Sequence, residues 1–131
     1  MDNEIPKFRA EEFEQEASFR WPEEFAESQR RISSLAKSDQ KRLHDLGEWV
    51  NQSLVNAQQA GLGVHSPEVQ EIIAKHFQWV SAFWDPDKAS YLALARMYEN
   101  DSRYFAYYER LAPGLASYLA AAMHSFANSE L

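Results

Sequence analysis

Apolar residues recur at three- and four-residue steps along most of this chain, the spacing that places them on one side of an α-helix. Pro22 follows Trp21 at a helix start, and Phe25, Ile32, Leu35 and Ala36 give a stripe that ends near Ser38. Ser38-Asp39-Gln40 supplies a cap for the next helix, whose stripe of Leu43, Leu46, Trp49, Val50 and Leu54 is the clearest in the first half. Gly61-Leu62-Gly63 breaks the pattern. Ser66-Pro67-Glu68 then combines an N-cap, a Pro at the first helical position and an acid in the first turn, predicting a helix over 67–84. Asp85-Pro86-Asp87 stops that helix and starts another over 86–99, and Asn100-Asp101-Ser102 turns the chain into a third over 102–111. Pro113 lacks an N–H and clashes with the preceding turn, so it marks either a kink or a fresh start, after which the last helix fades beyond Phe126. Alternating Val/Ile/Thr runs and hairpin dipeptides are absent, and the chain contains no Thr. The expected fold is an all-α bundle of about six or seven helices in a single domain, 1–131. Residues 1–15 are acidic, interrupted by Pro6 and anchored only by Ile5, Phe8 and Phe13, and read as a loosely held arm or first helix.

Composition narrows the class. A content of 45% hydrophobic and 14% aromatic residues in 131 positions suits one compact core, and four Gly with five Pro leave long segments free to be helical. The formal charge of -7 opposes association with phosphate backbones, so no direct nucleic-acid binding is expected. The basic doublets Arg30-Arg31 and Lys41-Arg42 read as local salt-bridge partners, and the acidic run Glu11, Glu12, Glu14, Glu16 with Glu23-Glu24 reads as a solvated helix face. No apolar run reaches the roughly 20 residues that span a bilayer, and the acidic start lacks the charged and apolar regions of a secretion signal. A cytoplasmic, monomeric protein without membrane association is expected. The absence of Cys excludes disulfides, thiolate metal sites and a cysteine nucleophile.

Chemistry concentrates between Val64 and Met123. In the helix predicted over 67–84, one stripe runs Val69, Ile73, Phe77, Val80 and Trp84, and a neighbouring one runs Ile72, His76, Trp79 and Phe83. So wide an apolar face fits either a helix buried between two others or the wall of a ligand pocket. His76 fits a hydrogen-bonded core histidine, and no HExxH or paired-His spacing accompanies it, so no metal, haem or other cofactor is assigned. His65 with Glu68 reads as a helix-start pair. All six Tyr follow position 90; Tyr91, Leu94 and Tyr98 form one stripe that Tyr104, Tyr107, Tyr108 and Leu111 extend, offering rigid apolar surface with a hydroxyl handle. Met97 fits either a gap-filler or a soft ligand contact. Phe105, Leu115 and Leu119 read as ordinary core. GxSxG, P-loop, GxGxxG and paired-carboxylate patterns are all missing, so the chain reads as a binder and not an enzyme.

His65-Ser66-Pro67-Glu68-Val69, His76 with Trp79, Leu94 with Tyr98, the Asp101, Phe105 and Tyr108 series and Pro113-Gly114-Leu115 together resemble the TipAS-type antibiotic-recognition domain, the effector-binding module of certain MerR-type regulators. Arg20-Trp21-Pro22, Ser28 and Arg30-Arg31 extend the resemblance upstream, where the family shows Arg-Trp-Gly, a Ser and a basic pair. The resemblance implies a globin-like arrangement with a central cleft, and it turns the odds on the second stripe, placing His76 and Trp79 of the family's HxxW element toward that cleft. The expected ligand-binding residues are His76, Trp79, Phe83, Tyr91, Met97, Tyr98, Tyr104, Tyr108 and Trp49. The resemblance further implies a bulky hydrophobic or peptide-like antibiotic as partner, for sequestration or for transcriptional regulation, and an N-terminal region, about 1–38, that is mobile alone and closes over ligand. The family's capture of a dehydroalanine by a cysteine thiolate has no counterpart in a chain without Cys, so binding is expected to be reversible, as in relatives that hold albicidin-like compounds. A protein-interaction domain whose aromatic groove takes a peptide or partner helix is the alternative reading, and an enzyme with a His/Tyr acid–base site a third.

Overall fold

The computed structural model describes residues 22–131, which form six α-helices. They are α1 (Pro22–Ser34), α2 (Lys37–Gln59), α3 (Pro67–Ser81), α4 (Lys88–Asn100), α5 (Ser102–Leu111) and α6 (Leu115–Glu130), with no strand among the described residues. The expectations for residues 1–21 and for the Phe25 side chain lie outside what is described.

The organising element is α6, which packs against α2, α3, α4 and α5. Its buried residues lie on more than one side: Leu115, Leu119 and Met123 fill space, while Ala116, Ala120, Ala122 and Ala127 let neighbouring backbones approach. The helix runs on to Glu130 and does not stop near Phe126, because its buried Ala127 still faces the core. Val50 and Leu54 of α2, Val69, Ile72, Ile73 and Val80 of α3, and Tyr91 and Ala95 of α4 complete that core. The α2–α3 and α4–α6 pairs make the most extensive contacts.

Local chemistry sets the boundaries. Helix α2 starts at Lys37 behind Ala36, which offers no side-chain cap, so Ser38 lies inside the helix and is not its cap. Gln40 instead donates to the Ile32 and Leu35 carbonyls at 3.0 and 3.1 Å, closing the end of α1. Gly61 ends α2 at φ 77°, with Gly61 N–H bonded to Gln58 and Leu62 N–H to Ala57, the Schellman pattern. Ser66 caps α3 through Val69 N–H as expected, but α3 ends at Ser81, so Phe83 and Trp84 lie in the following turn. Pro86 is likewise outside α4, which begins behind an Asp87–Ser90 capping box. His65 pairs with Ser125 of α6 at 2.8 Å instead of with Glu68. Phe105 is 41% exposed and is not core: it follows the inward-facing Tyr104 by one residue, about 100° around the helix.

Helix α1 is absent from the most closely packed helix pairs. Arg31 ties it down by bonding Asp85 at 2.6 Å and the Ser81 carbonyl at 3.2 Å, while also pairing with Glu27 in its own helix. Arg30 with Glu27, Lys41 with Asp45 and Arg42 with Asp39 are local pairs, as expected of the doublets.

Pro113 lies between two helices. Gly114 adopts φ 82°, and the Glu109 carboxylate accepts from Gly114 N–H at 2.8 Å and Ala116 N–H at 3.1 Å, capping α6 from the preceding helix. A Cβ at Gly114 would stand 3.3 Å from the Gln58 amide, which itself donates to the Pro113 carbonyl. Glu109→Ala is therefore expected to destabilise the domain by about 1–2 kcal/mol through two orphaned N–H groups at the start of the central helix. Gly114→Ala is expected to cost about 1–2 kcal/mol from the left-handed backbone alone. Urea unfolding of both variants measures these losses.

Candidate functional site

The site grows from α3 and α4. Register on α3 sends His76 inward, where it is 3% exposed, and register on α4 brings Tyr91 and Tyr98, at 0% and 3%, to its two sides. His76 Nδ1 lies 2.7 Å from the Tyr91 hydroxyl and Nε2 lies 3.3 Å from that of Tyr98. Without such partners the imidazole would cost about 1–3 kcal/mol as an unsatisfied buried polar group. Burial holds its pKa down at about 3, so the ring is neutral at ordinary pH. Burial also raises the Tyr98 and Tyr108 phenols well above their usual range, and Tyr91 and Tyr104 are pushed upward for the same reason. The cluster therefore carries no charge and acts only through hydrogen bonds and ring faces.

From His76 the rings continue outward. Trp79 lies 6.0 Å away and meets Phe83 edge-on at 4.9 Å, both half-buried. On the other side Tyr98 contacts Tyr104 at 5.4 Å and Tyr108 at 5.0 Å, and Tyr108 meets Tyr107 at 5.1 Å. Asn51 of α2 donates to the Tyr107 hydroxyl at 3.2 Å. Behind His76, Tyr91 packs on Phe77 at 5.1 Å and Phe126 at 6.0 Å, which closes that side with core.

The structure thus brings His76, Trp79, Phe83, Tyr91, Tyr98, Tyr104 and Tyr108 into one connected series of rings. Tyr91, Tyr98 and Tyr108 are buried within it, whereas Trp79, Phe83 and Tyr104 lie nearer solvent. Met97 is half-buried, and Trp49 on α2 is 49% exposed, outside the ring contacts that join the series among the described residues.

Sequence reasoning missed Gly47. A Cβ there would stand 2.9 Å from Trp79 Nε1 and 3.3 Å from Cε2, so the indole lies directly against the α2 backbone. Gly inside an amphipathic helix costs about 1 kcal/mol relative to Ala, and that oddity was the available signal. Asn51 and Tyr107, linked across α2 and α5, were missed as a pair because nothing in sequence spacing joins positions so far apart. No group of three or more His, Cys, Asp or Glu arranged for a metal exists among the described residues, and no described helix is long and apolar enough to cross a membrane.

Residues 13–126 match the model of the TipAS antibiotic-recognition domain. The chain belongs to this family. It is 30% identical over 104 residues to the HTH-type transcriptional regulator SkgA of two Caulobacter vibrioides strains, NA1000 / CB15N and ATCC 19089 / CIP 103742 / CB 15. That alignment covers 78% of this chain and 41% of either regulator, so the TipAS-type domain spans less than half the length of these curated relatives. Its fold is that of TipAS from the thiopeptide multidrug resistance system of Streptomyces lividans, solved with nosiheptide: TM-score 0.80, 24% identity, 95% of this chain and 89% of that one covered.

A pH prediction follows from His76. The unfolded imidazole titrates near 6.5 and the folded one near 3, so between these values the unfolded state binds the extra proton. The His76 contribution is present above pH 6.5 and is lost as pH falls toward 3, with a slope of up to about 1.4 kcal/mol per pH unit. Urea unfolding at a series of pH values should show this slope in the wild type, and His76→Gln should flatten it.

Proposed function

We propose that this TipAS-type domain reversibly binds a bulky, largely apolar, peptide-like antibiotic on the aromatic series around His76. The observation that carries the reading is the joining of half-buried Trp79, Phe83 and Tyr104 to a buried neutral His/Tyr cluster. Ring faces supply apolar area at small conformational cost, and a few fixed polar groups orient the ligand, which is how small-molecule sites divide the work. Membership in an antibiotic-recognition family supports this ligand class. The structural neighbour's complex with nosiheptide makes a thiopeptide the first probe.

The chemistry is recognition and not turnover. The cluster around His76 is uncharged at neutral pH, and its phenols and imidazole have pKa values displaced away from those suited to proton transfer. Because the chain has no Cys, retention of ligand rests on burial and hydrogen bonding, not on a thioether bond. The resemblance to SkgA favours use as the effector module of a transcriptional regulator, with sequestration of drug as the other use of the same binding step.

Titrating nosiheptide against intrinsic Trp fluorescence tests the reading. A saturable one-to-one change is expected, reversed on dilution, with unmodified protein mass under denaturing conditions. Absence of saturable binding, or a stable covalent adduct, would sink it.

Two substitutions localise the site. Trp79→Ala is expected to weaken nosiheptide binding by about 2 kcal/mol, roughly thirtyfold, with a small change in melting temperature. A loss of about 3–5 kcal/mol of stability with binding scaled only by the folded fraction would instead make Trp79 a core residue. Gly47→Ala should displace the indole from α2 and weaken binding in the same direction while α2 gains helix propensity, read by calorimetry with the same titration.

A further inference from the structure

The connection between α3 and α4 carries Phe83, a ring at the Trp79 end of the series, on irregular backbone. Phe83 N–H bonds to the Val80 carbonyl at 2.9 Å and Trp84 N–H to the same carbonyl at 3.3 Å, so the connection starts as a continuation of the end of α3. Its far end is fixed by the Asp87–Ser90 capping box that opens α4. Between two fixed ends, a side chain is still placed only as precisely as the contacts of its own segment allow.

For this segment such contacts come from α1. The Arg31 guanidinium donates through Nη1 to the Ser81 carbonyl at 3.2 Å and through Nη2 to the Asp85 carboxylate at 2.6 Å, and these two residues flank Phe83 at equal distance along the chain. Its Nε donates to Glu27 of its own helix at 2.6 Å, which fixes the direction of the planar fork. Ser81 is the last residue of α3, where carbonyls lie beyond the helix's own ladder, and α3 has no basic residue in its last turn. Arg31 therefore brings both a donor and a cation to a helix end that favours both. An ion pair whose carboxylate is as exposed as that of Asp85, at 84%, adds little to overall stability. The larger effect of the three-way contact is on where the turn sits.

We infer that Arg31 is a positioning residue for the binding site, clamping the turn at 81–85 so that the Phe83 ring is set against Trp79 before ligand arrives. The inference rests on the antibiotic-binding reading and goes beyond it, because it gives α1 a part in affinity that requires no contact between Arg31 and ligand. The route is short: Arg31 holds Ser81 and Asp85, the turn between them carries Phe83, Phe83 meets Trp79 at 4.9 Å, and Trp79 lies 6.0 Å from His76. Rings that are already in place lose less freedom on binding, so the clamp acts on affinity by lowering the cost of ordering the site.

The test uses the whole chain and nosiheptide. Arg31→Met, which keeps an apolar stem and removes the fork, is expected to raise the nosiheptide dissociation constant about three- to tenfold, and Asp85→Ala to move it the same way by less. In a Phe83→Ala chain, Arg31→Met is expected to change that constant by less than about twofold, because the ring it positions is gone. In free protein labelled with ¹³C-phenylalanine, the Phe83 ring resonances are expected to shift in Arg31→Met while the melting temperature changes little. An equal loss of affinity with and without the Phe83 ring overturns the proposal, since Arg31 would then act through stability or by touching the ligand, and so do Phe83 resonances that stay in place. Unchanged affinity in Arg31→Met overturns it while leaving antibiotic binding intact. Failure of the wild type to bind nosiheptide removes the underlying reading and the proposal with it. Should Arg31→Met fail to fold, Asp85→Ala with and without Phe83 decides in its place.

Discussion

Everything around the site depends on how one neutral imidazole is satisfied inside an apolar bundle. His76 sits on α3 where an aliphatic residue would meet the same burial without needing a partner, and it draws two tyrosines of α4 into fixed positions to supply one. Those hydrogen bonds set the rotation of α4 relative to α3, since slipping α4 by one residue would carry Tyr91 and Tyr98 about 100° away from the ring. Tyr98 in turn positions Tyr108 and Tyr104 of α5 through ring contacts. A polar group in a core of this kind sharpens the choice of arrangement more than it adds to stability.

The frame that tolerates this is α6. It packs extensively against α4, its small residues leaving room for neighbouring helices, and its Phe126 meets the Tyr91 ring. A central helix needs a firm start, and its first turn is held by Glu109 across the Pro113-Gly114 turn, not by a cap of its own. The aromatic series therefore has a side closed by α6 through Phe126 and another made of half-buried rings, while α1 is tied to the turn after α3 by Arg31, which pairs with Asp85 and donates to the Ser81 carbonyl. Ligand-responsive elements are drawn from the less stable part of a fold.

Much of this was legible in the sequence because helix periodicity and caps are local. The Ser66-Pro67-Glu68 start, the Gly61 stop and the Asp101 turn stand where spacing put them, and the basic doublets make local pairs, to which Arg31 adds a long-range one with Asp85. Where the reading failed, either a contact between elements overruled a local preference, as when Gln40 serves the end of α1 and His65 turns to Ser125, or one local signal outranked another, as when the Asp87–Ser90 capping box and not Pro86 opens α4. Phe105 illustrates the limit of counting apolar residues, since a run such as Tyr104 to Tyr108 cannot all face one way on a ten-residue helix. The connection of His76 to Tyr91 and Tyr98 was invisible for a different reason. Sequence marks residue types able to bond, but only the packing of α3 on α4 decides which hydroxyl meets which nitrogen.

The same packing fits the proposed use of a His/Tyr cluster in recognition. In water the imidazole would be half protonated near pH 6.5 and could exchange protons with solvent; inside the bundle its charged form is suppressed, and the phenols lose any tendency to ionise. What remains is a set of fixed dipoles whose orientation is coupled through one ring. In the proposed binding role such a set would discriminate by hydrogen-bond geometry and ring faces, and it stays uncharged above the imidazole's solution value. Gly47 adds the complementary constraint on the apolar side, because Trp79 can lie against α2 only where no Cβ intervenes. In that role, Trp79 against Gly47 on one flank of His76 and Tyr98 on the other are therefore held by separate neighbours. Substitutions on the two flanks act through different contacts, so their effects on binding should add when the residues share no partner, while His76, which touches both, should not behave additively with either.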